Sequence, residues 1–279
     1  MKGLVALHSY KGGTGKTSIS ANLAVTLAQR GRCVCLLDFD FRAPSLQTLF
    51  KAETDCWLNE YLDGKRELDS CFIDFSKTFN TRGSLKVGFA NPSLKGIREM
   101  MTKDRKWEIK ALHRSLELKT YLSEKVGADY AIIDTSPGVH FSSMNAMAAS
   151  DLIVLVMKMD DFDTAGTKEL VEGLYDVLGK RTTILVNRIA NDLTTGQGRI
   201  GVMRELSKLS KLPVLGMIPC YCDLGDHELS GGRLIYAVEK PEHDFTKTMR
   251  TLADDVEKYL SPNLASASST SQGDDRTPF

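Results

Sequence analysis

No apolar run in this 279-residue chain approaches the ~18 residues a membrane-spanning helix needs. There is no charged-then-apolar leader either: Met1-Lys2 runs straight into an apolar stretch that reads as a core strand, so the expected location is cytoplasmic. Neither sign of charge is in excess. Lysine plus arginine total 36 and aspartate plus glutamate 36, with an isoelectric point of about 7.0. No overall field therefore draws the chain to nucleic acid or an acidic membrane, and such binding would need a local patch. Cysteine is sparse, and six residues in a cytoplasmic chain do not suggest a disulfide framework. Cys33 and Cys35 fall on one face of a strand as small core residues, while Cys56 and Cys71 show no ligand spacing. Cys220 and Cys222 sit two apart on an extended segment, so two copies of the chain could bring four thiolates around a metal. Strand-end packing explains that pair more simply. No internal repeat is present.

What is there suits a globular α/β protein. Hydrophobic residues make up 42% and charged residues 26%, and the length supports one domain with a substantial core. Apolar strand-like runs at 3–9, 33–38, 130–134, 152–157, 182–187 and 214–218 alternate with helical patterns at 17–30, near 142–149, and at 163–178, 198–209 and 244–260. Such alternation predicts a doubly wound, mostly parallel sheet with helices on both faces and the ligand at the carboxyl ends of the strands. Residues 1–260 read as a single domain; within it, 45–129 is a variable, mostly helical region with one strand at 85–89. From Ser261 the sequence is rich in Ser, Ala and Thr without apolar periodicity and reads as a disordered tail to 279.

The most specific segment is Lys11-Gly12-Gly13-Thr14-Gly15-Lys16-Thr17, lying between the strand-like Leu4-Val5-Ala6-Leu7 and the helical pattern from Ser18. Strand, glycine-rich loop and helix in that order make a phosphate-binding loop. The glycines let successive N–H groups turn inward toward an anion, and the helix adds its positive end at the same place. Gly12, Gly13, Thr14, Gly15, Lys16, Thr17 and Ser18 are thus candidate phosphate-binding residues. Lys16 would reach the outer phosphates and the Thr17 hydroxyl would ligate Mg²⁺.

Three further segments carry chemistry. Asp38 and Asp40 stand at alternate positions of a strand end and face the same side, where solvated aspartates would look the same. Tyr130-Ala131-Ile132-Ile133-Asp134 is an apolar strand ending in a carboxylate suited to Mg²⁺, and Gly138 could bring a backbone N–H to the γ-phosphate. Thr183-Ile184-Leu185-Val186-Asn187-Arg188 and Ile218-Pro219 end two later strands.

Taken together, Lys-Gly-Gly-x-Gly-Lys-Thr, Asp-x-Asp and Asp-Thr-Ser-Pro-Gly resemble the deviant Walker A motif and switch segments of the MinD/ParA family of P-loop ATPases. The resemblance spans roughly residues 2–260. It implies ATP and Mg²⁺, a homodimer in the ATP state, and Lys11 crossing to the partner's nucleotide. It also implies that Asp40 positions the attacking water, with Asp38 and Asp134 near the metal. Asn187, Arg188 and Pro219 would border the adenine. Ser136 stands where that pattern has its first proline, a departure of no expected consequence. A slow, partner-stimulated ATPase that times the assembly or positioning of a division, partition or polar structure is the function implied. A metal or iron–sulfur cluster maturation ATPase using Cys220 and Cys222 is the alternative.

Partner surfaces are less legible. The segment 95–125 carries more lysine and arginine than acid, with apolar residues interspersed, and reads as amphipathic helices with solvated outer faces. DNA binding there would be a lesser use of the same patch. The stripe Phe245, Met249, Leu252, Val256 and Leu260 is backed by mixed charge rather than by cations, so it reads as a packing helix and not a membrane-targeting one.

Overall fold

The computed structural model describes residues 1–221, 223–224 and 235–261. Strand β1 (Gly3–His8) lies at the centre of an eight-stranded sheet and is buried along its whole length. Alternate residues serve opposite layers: Val5 and Leu7 enter one core, Leu4 and Ala6 the cores of the other face. A strand covered on both faces must be apolar throughout, which is why the sequence shows runs and not alternation. The neighbours of β1 are β5 (Tyr130–Thr135) and β6 (Leu152–Met157), both parallel to it, and β2 (Val34–Phe39) lies beyond β5. The order is β3-β4-β2-β5-β1-β6-β7-β8, with β7 at Arg181–Ile189 and β8 at Val214–Pro219.

Region 45–129 is more strand-like than expected. It holds β4 (Leu85–Gly88) and also β3 (Phe72–Asp74), which pairs antiparallel to it at the sheet's edge. A three-residue strand leaves too short a pattern to read. Phe50, Phe75, Phe79 and Phe89 gather there with ring centroids 5.0 to 6.2 Å apart, tying the region into the main core. Its helices α4 (Leu94–Met101) and α5 (Arg105–Tyr121) follow α2 (Leu46–Phe50) and α3 (Leu58–Leu62). One cysteine expectation needs correction. Cys33 precedes β2 and is half-buried, so of that pair only Cys35 belongs to the core. Cys56 and Cys71, without ligand spacing, nevertheless meet: their Sγ atoms lie 3.0 Å apart in a buried contact.

Helix α1 (Lys16–Gln29) follows the glycine-rich loop, and its apolar residues belong to the core shared with the last described helix, Asp244–Leu260. That last helix buries Phe245, Met249, Leu252, Val256 and Leu260, the very stripe a membrane-surface helix would expose. Arg30 locks the two helices together, donating to Asp254 at 2.6 Å and to the Arg250 carbonyl at 2.6 Å. The opposite face is covered by α5, by α6 (Phe141–Ala149) and by α7 (Asp161–Leu170). Helix α7 continues to Leu178 through a wider π turn at Val171–Tyr175. No helix among the described residues is long and apolar enough to cross a membrane.

Candidate nucleotide-binding site

The loops that leave β1, β2 and β5 open on one edge of the sheet, and each brings chemistry to the same place. After β1, Gly13 and Gly15 adopt φ of +73° and +92°, values that side chains disfavour. This curls the loop around the start of α1. Lys16 opens that helix, is nearly buried, and donates from Nζ to the Ser9 hydroxyl at 2.7 Å. Ser9 in turn donates to the Lys11 carbonyl at 2.6 Å, so one serine steadies both lysine positions of the loop. Lys11 itself is half-buried, and Thr14 is fully buried.

Asp38 and Asp134 are register partners on β2 and β5 and are both buried. The Thr17 hydroxyl donates to Asp134 Oδ2 at 2.6 Å, and the Ser20 hydroxyl lies 3.2 Å from Oδ1. Burial lifts the Asp134 carboxyl to about 6. Asp38 is raised well above the ordinary carboxylate range by burial first, then by Asp134 and Asp40. Its Oδ1 accepts the Asp40 N–H at 3.0 Å, whereas Oδ2 is buried with no hydrogen-bond partner. Two adjacent carboxylates plus a threonine hydroxyl form a hard-oxygen donor set, and the orphaned oxygen marks where positive charge is wanted. These residues fit Mg²⁺.

Asp40 sits just past β2. Its Oδ1 accepts from the N–H groups of Arg42 at 3.3 Å and Ala43 at 3.0 Å, and from the Ser136 hydroxyl at 2.8 Å. Gly138, at φ +72°, donates its N–H to the Ser9 carbonyl at 2.9 Å; contact with a phosphate would require it to release Ser9. On the other side of the loop, Asn187 donates from Nδ2 to the Thr14 carbonyl at 2.7 Å, leaving Oδ1 as the acceptor that could face a base amine. Arg188 follows at an irregularity in the β7–β8 pairing, exposed and at φ +57°, and Pro219 pairs there with Ile189.

A protein-family model described as an AAA domain matches residues 2–185. The chain belongs to that family. Within it the chain is a MinD/ParA-like P-loop ATPase, as its relatives and its fold agree. It is 27% identical to an uncharacterised ATP-binding protein of Methanocaldococcus jannaschii, over 77% of this chain and 73% of that protein. Identity to the septum site-determining protein MinD of Helicobacter pylori is 24%, covering 77% of each chain. The cytosolic Fe-S cluster assembly factor CFD1 of Yarrowia lipolytica is 29% identical over 55% of this chain and 49% of its own length. MinD from Pyrococcus horikoshii, solved with Mg-ADP, superimposes with a TM-score of 0.71 at 22% identity, covering 92% of this chain and 97% of that one. A ParA family ATPase from Chlorobium tepidum gives 0.71 at 18% identity, covering 91% and 99%. At such identities the structural likeness is one of fold.

The loop and its two carboxylates are the residues here that could take a nucleotide's phosphates and Mg²⁺. The structure gathers Lys11, Lys16, Thr17, Asp38, Asp40, Asp134 and Gly138 around one edge, with Asn187 on the loop's far side. It does not bring the cysteine pair to this edge through any described contact. Cys220 is exposed, Cys222 lies outside the described residues, and no metal-holding group of three or more His, Cys, Asp or Glu occurs among the described residues. The sequence reading missed Ser9, Ser20 and Ser136. Ser20 lies three residues after Thr17 on a helix and so shares its face, a signal that was present. Ser9 and Ser136 carry none, because single serines at strand ends are common.

One histidine of this MinD/ParA-like site tunes stability. His8, at the end of β1, is fully buried with Nδ1 3.0 Å from the Thr135 hydroxyl. Burial, with Lys16 and His140 nearby, lowers its pKa to about 3 from 6.5. Below pH 6.5 the unfolded chain takes up a proton that the folded one refuses, so stability falls as pH drops and the loss levels off near 3. At pH 5 this amounts to about 2 kcal/mol. Urea unfolding at pH 7 and pH 5 should therefore show a shallower pH dependence for His8→Asn than for the parent, by about that amount. Equal slopes would refute the assignment.

Proposed function

We propose that this ATPase is a nucleotide-timed switch that closes as a homodimer on ATP and opens after slow hydrolysis. The observation that supports the reading is the extra lysine of the loop: Lys16, nearly buried against Ser9, is already the candidate for the phosphates, while Lys11 lies half-buried five residues earlier. A lysine so placed suits a phosphate bound by another copy of the chain. In this scheme the loop N–H groups and Lys16 bind and orient the phosphates, and Lys11 adds positive charge from the partner. Asp40 orients the attacking water. Mg²⁺, held by Thr17, Asp38 and Asp134, would neutralise phosphate charge. Asn187, Arg188 and Pro219 would border the adenine. Hydrolysis then loosens the segments after Asp40 and Asp134, and a cargo or activating protein reads that change. DNA is a lesser candidate partner.

Light scattering and turnover test this directly. The parent should dimerise with Mg-ATP, whereas Lys11→Ala should bind ATP as a monomer and hydrolyse it at least about 100-fold more slowly, on the scale of a cation supplied in trans. Full turnover by a demonstrably monomeric Lys11→Ala protein would sink the sandwich. A second reading, delivery of metal or a cluster, draws on the likeness to an Fe-S assembly factor and on exposed Cys220. It requires metal in the purified protein that Cys220→Ser loses.

A further inference from the structure

The geometry points to Ser136 as a positioning residue for hydrolysis, acting through Asp40. This rests on the reading of Asp40 as the water-orienting carboxylate. Ser136 is fully buried and lies two residues past Asp134, on the segment that leaves β5. Its hydroxyl reaches across to the segment leaving β2 and donates to Asp40 Oδ1 at 2.8 Å. The same oxygen takes the N–H groups of Arg42 and Ala43. All three recorded contacts therefore fall on Oδ1, and Oδ2 is the oxygen that remains to receive a water.

The two backbone donors belong to Asp40's own turn and move with it. Ser136 alone among the three comes from another element, so it fixes the carboxylate relative to the rest of the site. Without that bond the side chain can rotate while its turn stays intact. A carboxylate anchored at one oxygen by a separate segment holds the other oxygen within the narrow range that an in-line attack needs. The contact also joins the two segments that leave β2 and β5. Any movement of the segment carrying Ser136 and Gly138 is passed to Asp40, a route by which a change at the phosphate could disarm the water-orienting group. A second contact runs parallel, with the Arg42 guanidinium 2.7 Å from His140 Nε2.

The test uses steady-state ATP hydrolysis and equilibrium ATP binding by the full chain. Ser136→Ala should lower kcat about tenfold, the low end of what a hydrogen bond to a charged group carries, with ATP affinity and KM unchanged. Ser136→Thr, which keeps the hydroxyl, should restore most of kcat. Ser136→Cys, nearly isosteric with a weak donor, should resemble Ser136→Ala and stands in for it if the alanine chain does not fold. Asp40→Asn is the arm that separates this inference from the reading beneath it. If Asp40→Asn still hydrolyses ATP at the parent rate, the assignment of Asp40 falls and this inference with it. If Asp40→Asn is inactive while Ser136→Ala and Ser136→Cys turn over normally, Asp40 stands and Ser136 is dismissed. Equal losses in the Ala, Cys and Thr variants would make the residue a packing element and overturn the inference too.

Discussion

Replacing Lys16 by alanine is expected to lower ATP affinity at least about 100-fold, equivalent to about 3 kcal/mol. The ammonium is nearly buried at the start of α1, where it donates to a neutral hydroxyl, that of Ser9, and lies within electrostatic reach of Asp134. A phosphate would exchange that neutral acceptor for a charged one in a place where water screens poorly, and charge-assisted bonds are roughly twice as strong as neutral ones. The backbone N–H groups of the loop survive the substitution, so the fold should persist and the loss should appear in binding. Titration calorimetry with Mg-ATP, alongside thermal unfolding, separates the two. Affinity within threefold of the parent in a folded Lys16→Ala protein would remove the phosphate-loop assignment.

Gly15→Ala should be nearly as damaging, and Gly13→Ala much less so, although both glycines have positive φ. An L side chain in the left-handed region costs roughly 1–2 kcal/mol at either position. The difference lies in the surroundings. A Cβ on Gly15 would lie 2.4 Å from Asn187 Nδ2, whereas one on Gly13 meets nothing within 4 Å. Asn187 cannot simply step aside, because that same nitrogen holds the Thr14 carbonyl at 2.7 Å. Gly15→Ala therefore spoils the backbone, breaks the contact between loop and β7, and displaces the residue proposed for the base. Nucleotide affinity should fall about 30-fold or more, against about tenfold for Gly13→Ala, the factors that roughly 2 and 1.4 kcal/mol give. The double variant Gly15→Ala/Asn187→Ala should recover the steric part alone. Equal affinities for Gly13→Ala and Gly15→Ala would show that the clash with Asn187 plays no part.

Those two glycines mark the boundary of what could be read from the chain. A contiguous motif such as Lys11 to Thr17 carries its geometry locally, and strands ending in Asp38, Asp134 and Asn187 announce themselves by their apolar runs. The parallel, doubly wound class of the sheet, too, follows from alternation with helices, though the order of its strands does not. What stayed hidden depends on separate segments meeting. Ser136 looked like an inert departure from a pattern, yet its hydroxyl reaches a carboxylate 96 positions earlier in the chain. Cys56 and Cys71 had no telling spacing because they lie 15 positions apart and loop and short helix fold back to join them. Strand β3 was too short to register, and nothing in the sequence of Asn187 says that its amide supports the loop as well as facing a base. Periodicity reports one element's burial; it is silent on which polar tips will touch.

The embrace between α1 and the last described helix also constrains how the protein is made. Arg30 finds Asp254 across 224 positions, and the helix behind the glycine-rich loop shares its core with residues up to Leu260. On a ribosome adding about 5–20 residues each second, those partners emerge at least about ten seconds after α1 itself. Throughout that interval the apolar flank of the loop's own helix lacks its cover and is open to chaperones or to wrong pairings. Competence to hold nucleotide should thus arrive late in translation, so a chain stalled before Asp244–Leu260 should exist as an immature species, not as a free-running ATPase.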